Sequence, residues 1–181
     1  MMQCKAIFVW DEPRPVVEVP DRLRFRPVAA EGDTQTLRGA IEAVLADTAD
    51  RALRHSATSG SSVDAAEPFL SPDPVFAFEP NWWRLAHDAD DRLVGFSQPV
   101  AFKGCERDGK DEVTLLLMGV LPEHRGRGFA VDILADATAD VQRRGAWRIF
   151  CDTDIENEPM CAAFRRVGYR QDGEREVPLV R

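Results

Sequence analysis

The sequence predicts an α/β (α+β) fold, a mixed central sheet with helices on both faces. Three observations carry this. First, an apolar run from Val113 to Leu121 passes Pro122 and a polar turn with glycines at 126 and 128, then enters an amphipathic run at Phe129. That order is strand, glycine-rich turn, helix. Second, Arg148-Ile-Phe-Cys-Asp-Thr-Asp154 reads as a strand, followed by a short helix with Met160, Phe164 and Val167 on one face. Third, Trp82–His87 and Leu93–Phe102 flank the acidic turn 88–91 as a hairpin does. The length, 181 residues, and 44% hydrophobic content suit one domain with a sizeable core.

In chain order, Lys5–Trp10 reads as a strand and Asp11–Pro20 as a proline-bearing connection. Residues 1–20 are expected to form an extension that covers a sheet edge or reaches a partner subunit. The main domain then occupies 21–181. Leu23–Val28 alternates apolar residues with arginines, as a half-buried strand does. Asp33 is the expected N-cap of a helix to about Arg54, with Leu37, Ile41, Val44 and Thr48 at helical spacing. Residues 56–81 are Ser-rich, then carry prolines at 68, 72, 74 and 80, and read as a long loop. Pro99 cannot donate to a ladder, so a bulge or an edge is expected there. Lys103–Asp111 is a turn with Arg107-Asp-Gly-Lys110 at its tip, and Glu112–Val120 is the central strand. The helix after the glycine turn runs from Gly128 to Arg144, with Ala130, Leu134, Ala137 and Val141 on one face and Gly145 ending it. Gly173 reads as a turn and Val177–Val180 as a last strand.

Composition excludes several classes. No apolar run approaches the roughly 20 residues of a membrane span. The apolar stretch Ala6–Trp10 is too short for a signal-peptide core, so a cytoplasmic protein is expected. The four cysteines form no Cys-x-x-Cys pair, and no histidine lies at metal-ligand spacing, so no metal is expected. Cys151 and Cys161 read as small buried hydrophobes. His55, His87 and His124 are scattered, and His124, inside the turn, is expected to face solvent. The net charge of −8 disfavours nucleic acid and anionic membranes and favours a cationic acceptor.

The turn at 122–130 is the most informative feature. A helix start leaves N–H groups unpaired and carries partial positive charge, and glycines let a ligand approach them. Arg125 and Arg127 add cationic charge, with Arg143 and Arg144 as further candidates. The product is an anion site suited to phosphate or pyrophosphate. A Walker A loop is excluded, because Gly128 is followed by Phe129-Ala130 rather than Lys-Ser or Lys-Thr. The dinucleotide fingerprint is excluded by its missing third glycine. An ordinary strand-to-helix turn remains the plain alternative.

Arg125, Gly128 and Ala130 match the Gln/Arg-x-x-Gly-x-Gly/Ala signature of the GNAT superfamily of acetyl-CoA-dependent N-acyltransferases, and this chain resembles that family. Val120, Pro122, Glu123 and Gly126 match its longer form. Downstream, Asn157-Glu-Pro-Met160 and Gly168-Tyr169 look like the family's Asn-x-x-Met helix ending in Gly-Phe or Gly-Tyr. The resemblance implies a mostly antiparallel sheet and acetyl-CoA as cosubstrate. It implies that Arg125, Gly126, Arg127, Gly128, Phe129 and Ala130 hold the CoA pyrophosphate, while Met118, Gly119 and Val120 pair with the pantetheine arm. Asn157 would contact that arm or cap its helix, and Phe164 would lie against the bound cofactor. Residues 56–81 would border the acceptor site, and a homodimer is plausible by family habit.

The implied chemistry is attack of a neutral amine on a thioester. Deprotonating a lysine-like amine at pH 7 costs about 4.6 kcal/mol, so a base is needed. Histone-type relatives place a glutamate where this chain has Thr114. Glu112, two residues earlier, Asp152 and Asp154 are the base candidates, each also readable as an ordinary loop carboxylate. Many relatives carry a tyrosine where this chain has Phe164, which cannot donate a proton. Tyr169, the single tyrosine, reads as core. The leading expectation is an N-acetyltransferase acting on a small-molecule or peptidyl primary amine by direct attack in a ternary complex. A non-catalytic acetyl-CoA-binding or sensing module and a longer-chain acyltransferase are the alternatives. Polyamine, aminoglycoside, amino acid and protein N-terminus all remain open as acceptors. The Trp82-Trp83 pair would suit a cation held on aromatic faces.

Overall fold

A computed structural model describes residues 2–51, 53 and 64–178. Eight strands form one sheet: β1 (Met2–Asp11), β2 (Arg24–Pro27), β3 (Phe76–Ala77), β4 (Arg84–His87), β5 (Leu93–Phe102), β6 (Glu112–Val120), β7 (Arg148–Asp154) and β8 (Arg170–Pro178). Their spatial order is β2-β4-β5-β6-β7-β1-β8, with β3 against β5. Every described pairing is antiparallel except β6 with β7. Helix α1 (Glu31–Ala46) lies on one face. Leu37, Ile41 and Val44 pack there against Leu85, Phe96 and Leu117. Helices α3 (Phe129–Arg143) and α4 (Glu158–Val167) lie on the other, where Leu134, Val141 and Phe164 meet Phe8 and Ile149. The mixed sheet with helices on both faces is as the sequence predicts.

The N-terminal strand differs from expectation. It covers no edge. β1 sits inside the sheet, with Lys5 opposite both Asp154 of β7 and Arg175 of β8. Its run Ala6-Ile-Phe-Val-Trp10 is apolar at every position rather than at alternate ones, as suits a strand covered on both faces. The edges fall to β2 and β8, both rich in charge, which discourages further strand pairing. Gly173 is no chain-reversing turn. It lies within β8 at φ 109°, where the register slips between Ala6 and Phe8, so it forms a bulge. The last strand starts earlier than expected, and residues 179–181 lie outside the described residues.

α1 also differs at both ends. Ala30 is its N-cap, and Asp33 stands in the first turn, where its carboxylate accepts from the N–H groups of Ala30 (2.9 Å) and Ala29 (3.1 Å). The helix stops at Ala46 because the next residues find other partners. The Asp47 carbonyl accepts from Arg125, and the Asp50 N–H bonds the Thr48 hydroxyl. The expected loop at 56–81 is partly structured. Its described portion holds α2 (Glu67–Leu70), β3 and a 3₁₀ turn at Pro80–Trp82, while residues 56–63 lie outside the described residues.

Pro99 does sit at a bulge. Gln98 pairs with Leu117 and Pro99 with Leu115, so Leu116 is the extra residue on β6. The bulge switches the faces of β6: Leu115 packs with the α3–α4 cluster, whereas Leu117 packs with α1. β6 and β7 pair only at Glu112–Arg148 and Val113–Ile149, then separate. That separation creates the site.

Candidate active site

The turn between β6 and α3 is built as an anion cradle. Gly126 (φ 74°) and Gly128 (φ 79°) adopt left-handed backbone that glycine reaches without strain. Among the described residues, the N–H groups of 126–130 have no backbone acceptor, so the start of α3 presents open donors. The side chains around it differ from the expectation. Arg125 is a strut: its guanidinium donates to the Val120 carbonyl (3.1 Å) and to the Asp47 carbonyl (2.6 Å) and carboxylate (2.7 Å). It ties the end of α1 to the turn, and its charge is offset by Asp47. Arg22 lies at the helix start, and its charge is likewise offset, by Asp132. Arg22 donates to the Arg127 carbonyl (3.0 Å) and the buried Asp132 (2.8 Å) and lies over the Phe129 ring. With Arg127 and Arg166 it lines a hollow of about 320 Å³ beside Gly128. No motif marks Arg22 or Arg166 in the sequence, because both reach the turn through tertiary packing.

Other expectations near the turn fail for physical reasons. His124 is buried rather than solvent-facing, inside the 3₁₀ turn Pro122–His124. Arg143 and Arg144 lie at the far end of α3, about 22 Å along a helix of this length. Arg144 pairs there with Asp140 and covers the Trp82 ring. That ring face is therefore taken by a protein cation, and Trp83 is buried against Phe78.

Between the diverging β6 and β7 lies a cavity of about 380 Å³. Val44, Thr48 and Asp50 line it from the α1 face, and Asn157, Met160 and Phe164 from the α4 face, so it passes through the sheet. The β6 edge from Thr114 to Met118 forms one wall. β7 forms the other, with Phe150 and Asp152 directed to the α1 face, opposite the core residues Ile149 and Cys151. Past Val113, β6 has no β7 partner for that edge, which leaves backbone groups for a bound chain to pair with. Gly119 lies at this end of β6 for packing reasons: a Cβ there would stand 2.6 Å from a Val44 methyl.

The three base candidates separate in space. Glu112 lies where β6 and β7 are still paired, 3.9 Å from Arg148, and does not line the cavity. Asp154 is fully buried and clamped by Arg51 (2.8 and 3.2 Å). Burial pushes its carboxyl up, but the Arg51 hydrogen bonds and the Glu156 N–H hold it below the ordinary range. Asp152 does line the cavity, beside Lys5 and Arg175. Sequence reasoning missed Asp50, the second lining carboxylate. It accepts from Lys5 (2.6 Å), Gln3 (3.4 Å) and the N–H groups of Asp154 (3.1 Å) and Leu53 (3.3 Å). Burial works against its charge, yet Lys5 and those N–H groups bring its carboxyl below the ordinary range.

On the α4 face, Asn157 caps its helix by accepting from the Met160 N–H (3.4 Å), and its amide donates to Thr153 (3.3 Å). Phe164 stacks on Phe8 (4.7 Å) and meets Tyr169 edge-on (5.1 Å). Tyr169 is core, its hydroxyl 2.8 Å from that of Thr138. Cys151 reaches the cavity wall, but burial pushes its thiol up to about 12, so it stays protonated and a poor nucleophile. Among the described residues, no cluster of His, Cys, Asp or Glu is placed to hold a metal. No helix there is long and apolar enough to cross a membrane.

A family model described as the Acetyltransferase (GNAT) family matches residues 59–169. Among solved structures, the GCN5-related N-acetyltransferase from Sphaerobacter thermophilus superposes with a TM-score of 0.65 at 20% identity, covering 96% of this chain and 50% of that one. The chain thus spans about half the length of that relative. The GCN5-related N-acetyltransferase from Kribbella flavida gives 0.56 at 18% identity, covering 96% and 57%. AAC(6')-Iy, solved with the bisubstrate analogue CoA-S-monomethyl-acetylneamine, gives 0.54 at 20% identity, covering 84% and 94%. At these identities the structural likeness is one of fold. No curated protein matches the chain.

Proposed function

The chain belongs to the acetyltransferase (GNAT) family, and on that premise we propose that it transfers the acetyl group of acetyl-CoA to a primary amine by direct attack in a ternary complex. The observation that carries this reading is the cavity that passes through the sheet between β6 and β7. Its walls come from both faces of the sheet, Val44, Thr48 and Asp50 on the α1 side and Asn157, Met160 and Phe164 on the α4 side, as a meeting point of two substrates requires.

The residues fit acetyl-CoA. The open N–H groups of 126–130, with Arg22, Arg127 and Arg166, suit its phosphates. The unpaired edge of β6 suits its pantetheine amides, and N–H groups near Met118–Val120 are available to polarise the thioester carbonyl. Asp152 lines the cavity on the α1 side, and to it we assign the roles of orienting the amine and taking its proton. The departing CoA thiolate meets Phe164 and takes no proton from it. With Cys151 held as a thiol, transfer without an acyl-cysteine intermediate fits the site.

The test is CoA release from acetyl-CoA against a panel of primary amines, with Asp152→Asn alongside. Turnover should appear with at least one amine, and the variant should lose about 10²-fold or more in kcat. One observation favours a second reading, a non-catalytic acetyl-CoA-binding module. Phe164 occupies the donor position and is fixed between two aromatic rings. Tight acetyl-CoA binding with no CoA release on any amine would select it.

A further inference from the structure

The α1 side of the cavity carries charges of both signs. Lys5 Nζ lies 2.6 Å from Asp50 Oδ2 and 3.8 Å from Asp152 Oδ1. Arg175 contacts Asp152 through Nη2 and lies over the Phe150 ring at 5.9 Å. Among the described residues Asp152 is the one polar partner of that guanidinium, so its Nε and Nη1 have none, and the side chain is 48% exposed. Lys5, Asp152 and Arg175 come from β1, β7 and β8, which the insertion of β1 into the sheet brings together, and Asp50 from the segment after α1.

The overall charge of −8 points to a cationic acceptor, but the cavity does not share that excess. Among its described lining residues two cations face two carboxylates, and Asp50 is already engaged by Lys5. A polyamine would gain little there. An acceptor with one amino group and one carboxylate finds a partner for each. The contact between Arg175 and Asp152 requires those two groups to be close together on the acceptor, as in an amino acid. Phe76, Phe102 and Leu53 give the rest of the wall an apolar character.

We propose that the acceptor is a zwitterion, a primary amine with a neighbouring carboxylate on an apolar body, whose carboxylate is held by Arg175 and whose amino group is directed by Asp152. This rests on the transferase reading above and names its substrate class. A fork with free N–H groups suits a carboxylate better than a point charge does.

The experiment compares matched pairs with and without the carboxylate, such as phenylalanine with phenethylamine and leucine with isoamylamine, by CoA release from acetyl-CoA. In at least one pair the acid should have the higher kcat/KM, by about tenfold or more. Arg175→Ala should shrink that ratio by about tenfold, mostly through KM, and Arg175→Lys should retain part of it. Amines that match or surpass their acids, a better polyamine substrate, or a ratio unchanged in Arg175→Ala would each overturn the zwitterion while leaving the transferase intact. No release with either member of any pair would also overturn the zwitterion, and only silence across polyamines and the wider amine panel as well, although acetyl-CoA shifts the melting temperature, would remove the transferase reading with it.

Discussion

Asp136 shows how burial outweighs a nearby countercharge. It lies 5% exposed on α3, with Arg84 Nε 3.2 Å away, yet that N–H is not aimed at it and forms no hydrogen bond. Burial pushes its carboxyl up from 3.8 to about 6; Arg84 opposes this and Asp140 adds to it. Between about pH 4 and 6 the folded chain therefore holds a proton that the unfolded chain releases. The stability this group contributes is full below that window and is lost as pH rises through it. Asp136→Asn should gain on the native chain by as much as about 3 kcal/mol between pH 4 and pH 7, read by denaturant unfolding at both pH values. Gly119 is a steric case. A Cβ there would stand 2.6 Å from Val44 Cγ2, so Gly119→Ala should cost about 1–3 kcal/mol. The double variant Gly119→Ala, Val44→Ala should lose less than the sum of the single changes, because the clash is gone.

At the scale of elements, the site depends on what joins them. Asn157 caps α4 through a long bond, 3.4 Å to the Met160 N–H. Asn157→Ala should therefore cost about 0.5–1 kcal/mol, at the low end for a cap, and Asn157→Asp should recover most of it, both read by thermal unfolding. The segment after α1 is pinned to β1 and β7 by Asp50 with Lys5 and by Arg51 with Asp154. Folding holds both carboxyls below the ordinary range, so they stabilise the fold above that range and lose this as pH falls through their folded values. Asp50→Asn should accordingly lose more stability at pH 7 than at pH 3. Equal losses at the two values would mean that the charge on Asp50 does not hold this segment.

Across the whole molecule, the legible parts were those written in local sequence. The central strand, the glycine turn, the Gly168 cap of α4 (φ 101°) and the bulge at Pro99 each follow from residues within a few positions of one another. Helical periodicity marks α1 but not its C-terminal end, which falls at Ala46, short of Arg54, where Asp47 meets Arg125 and Asp50 meets Thr48. The position of β1 was illegible for the same reason. Its apolar run marks a buried strand, but nothing local says that β7 and β8 flank it. The site divides likewise. The turn and Asp152 can be named from sequence, whereas Arg22 reaches the turn, and Asp50, Lys5 and Arg175 reach the cavity, only through tertiary packing. In the proposed function acetyl-CoA lies against the open N–H groups of the turn. The most direct test is the acetyl-CoA dissociation constant of the native chain and of Gly128→Glu, measured calorimetrically, with melting curves confirming that both are folded. A carboxylate at that spot should weaken binding by at least about tenfold, roughly 1.4 kcal/mol. An unchanged constant would contradict the account.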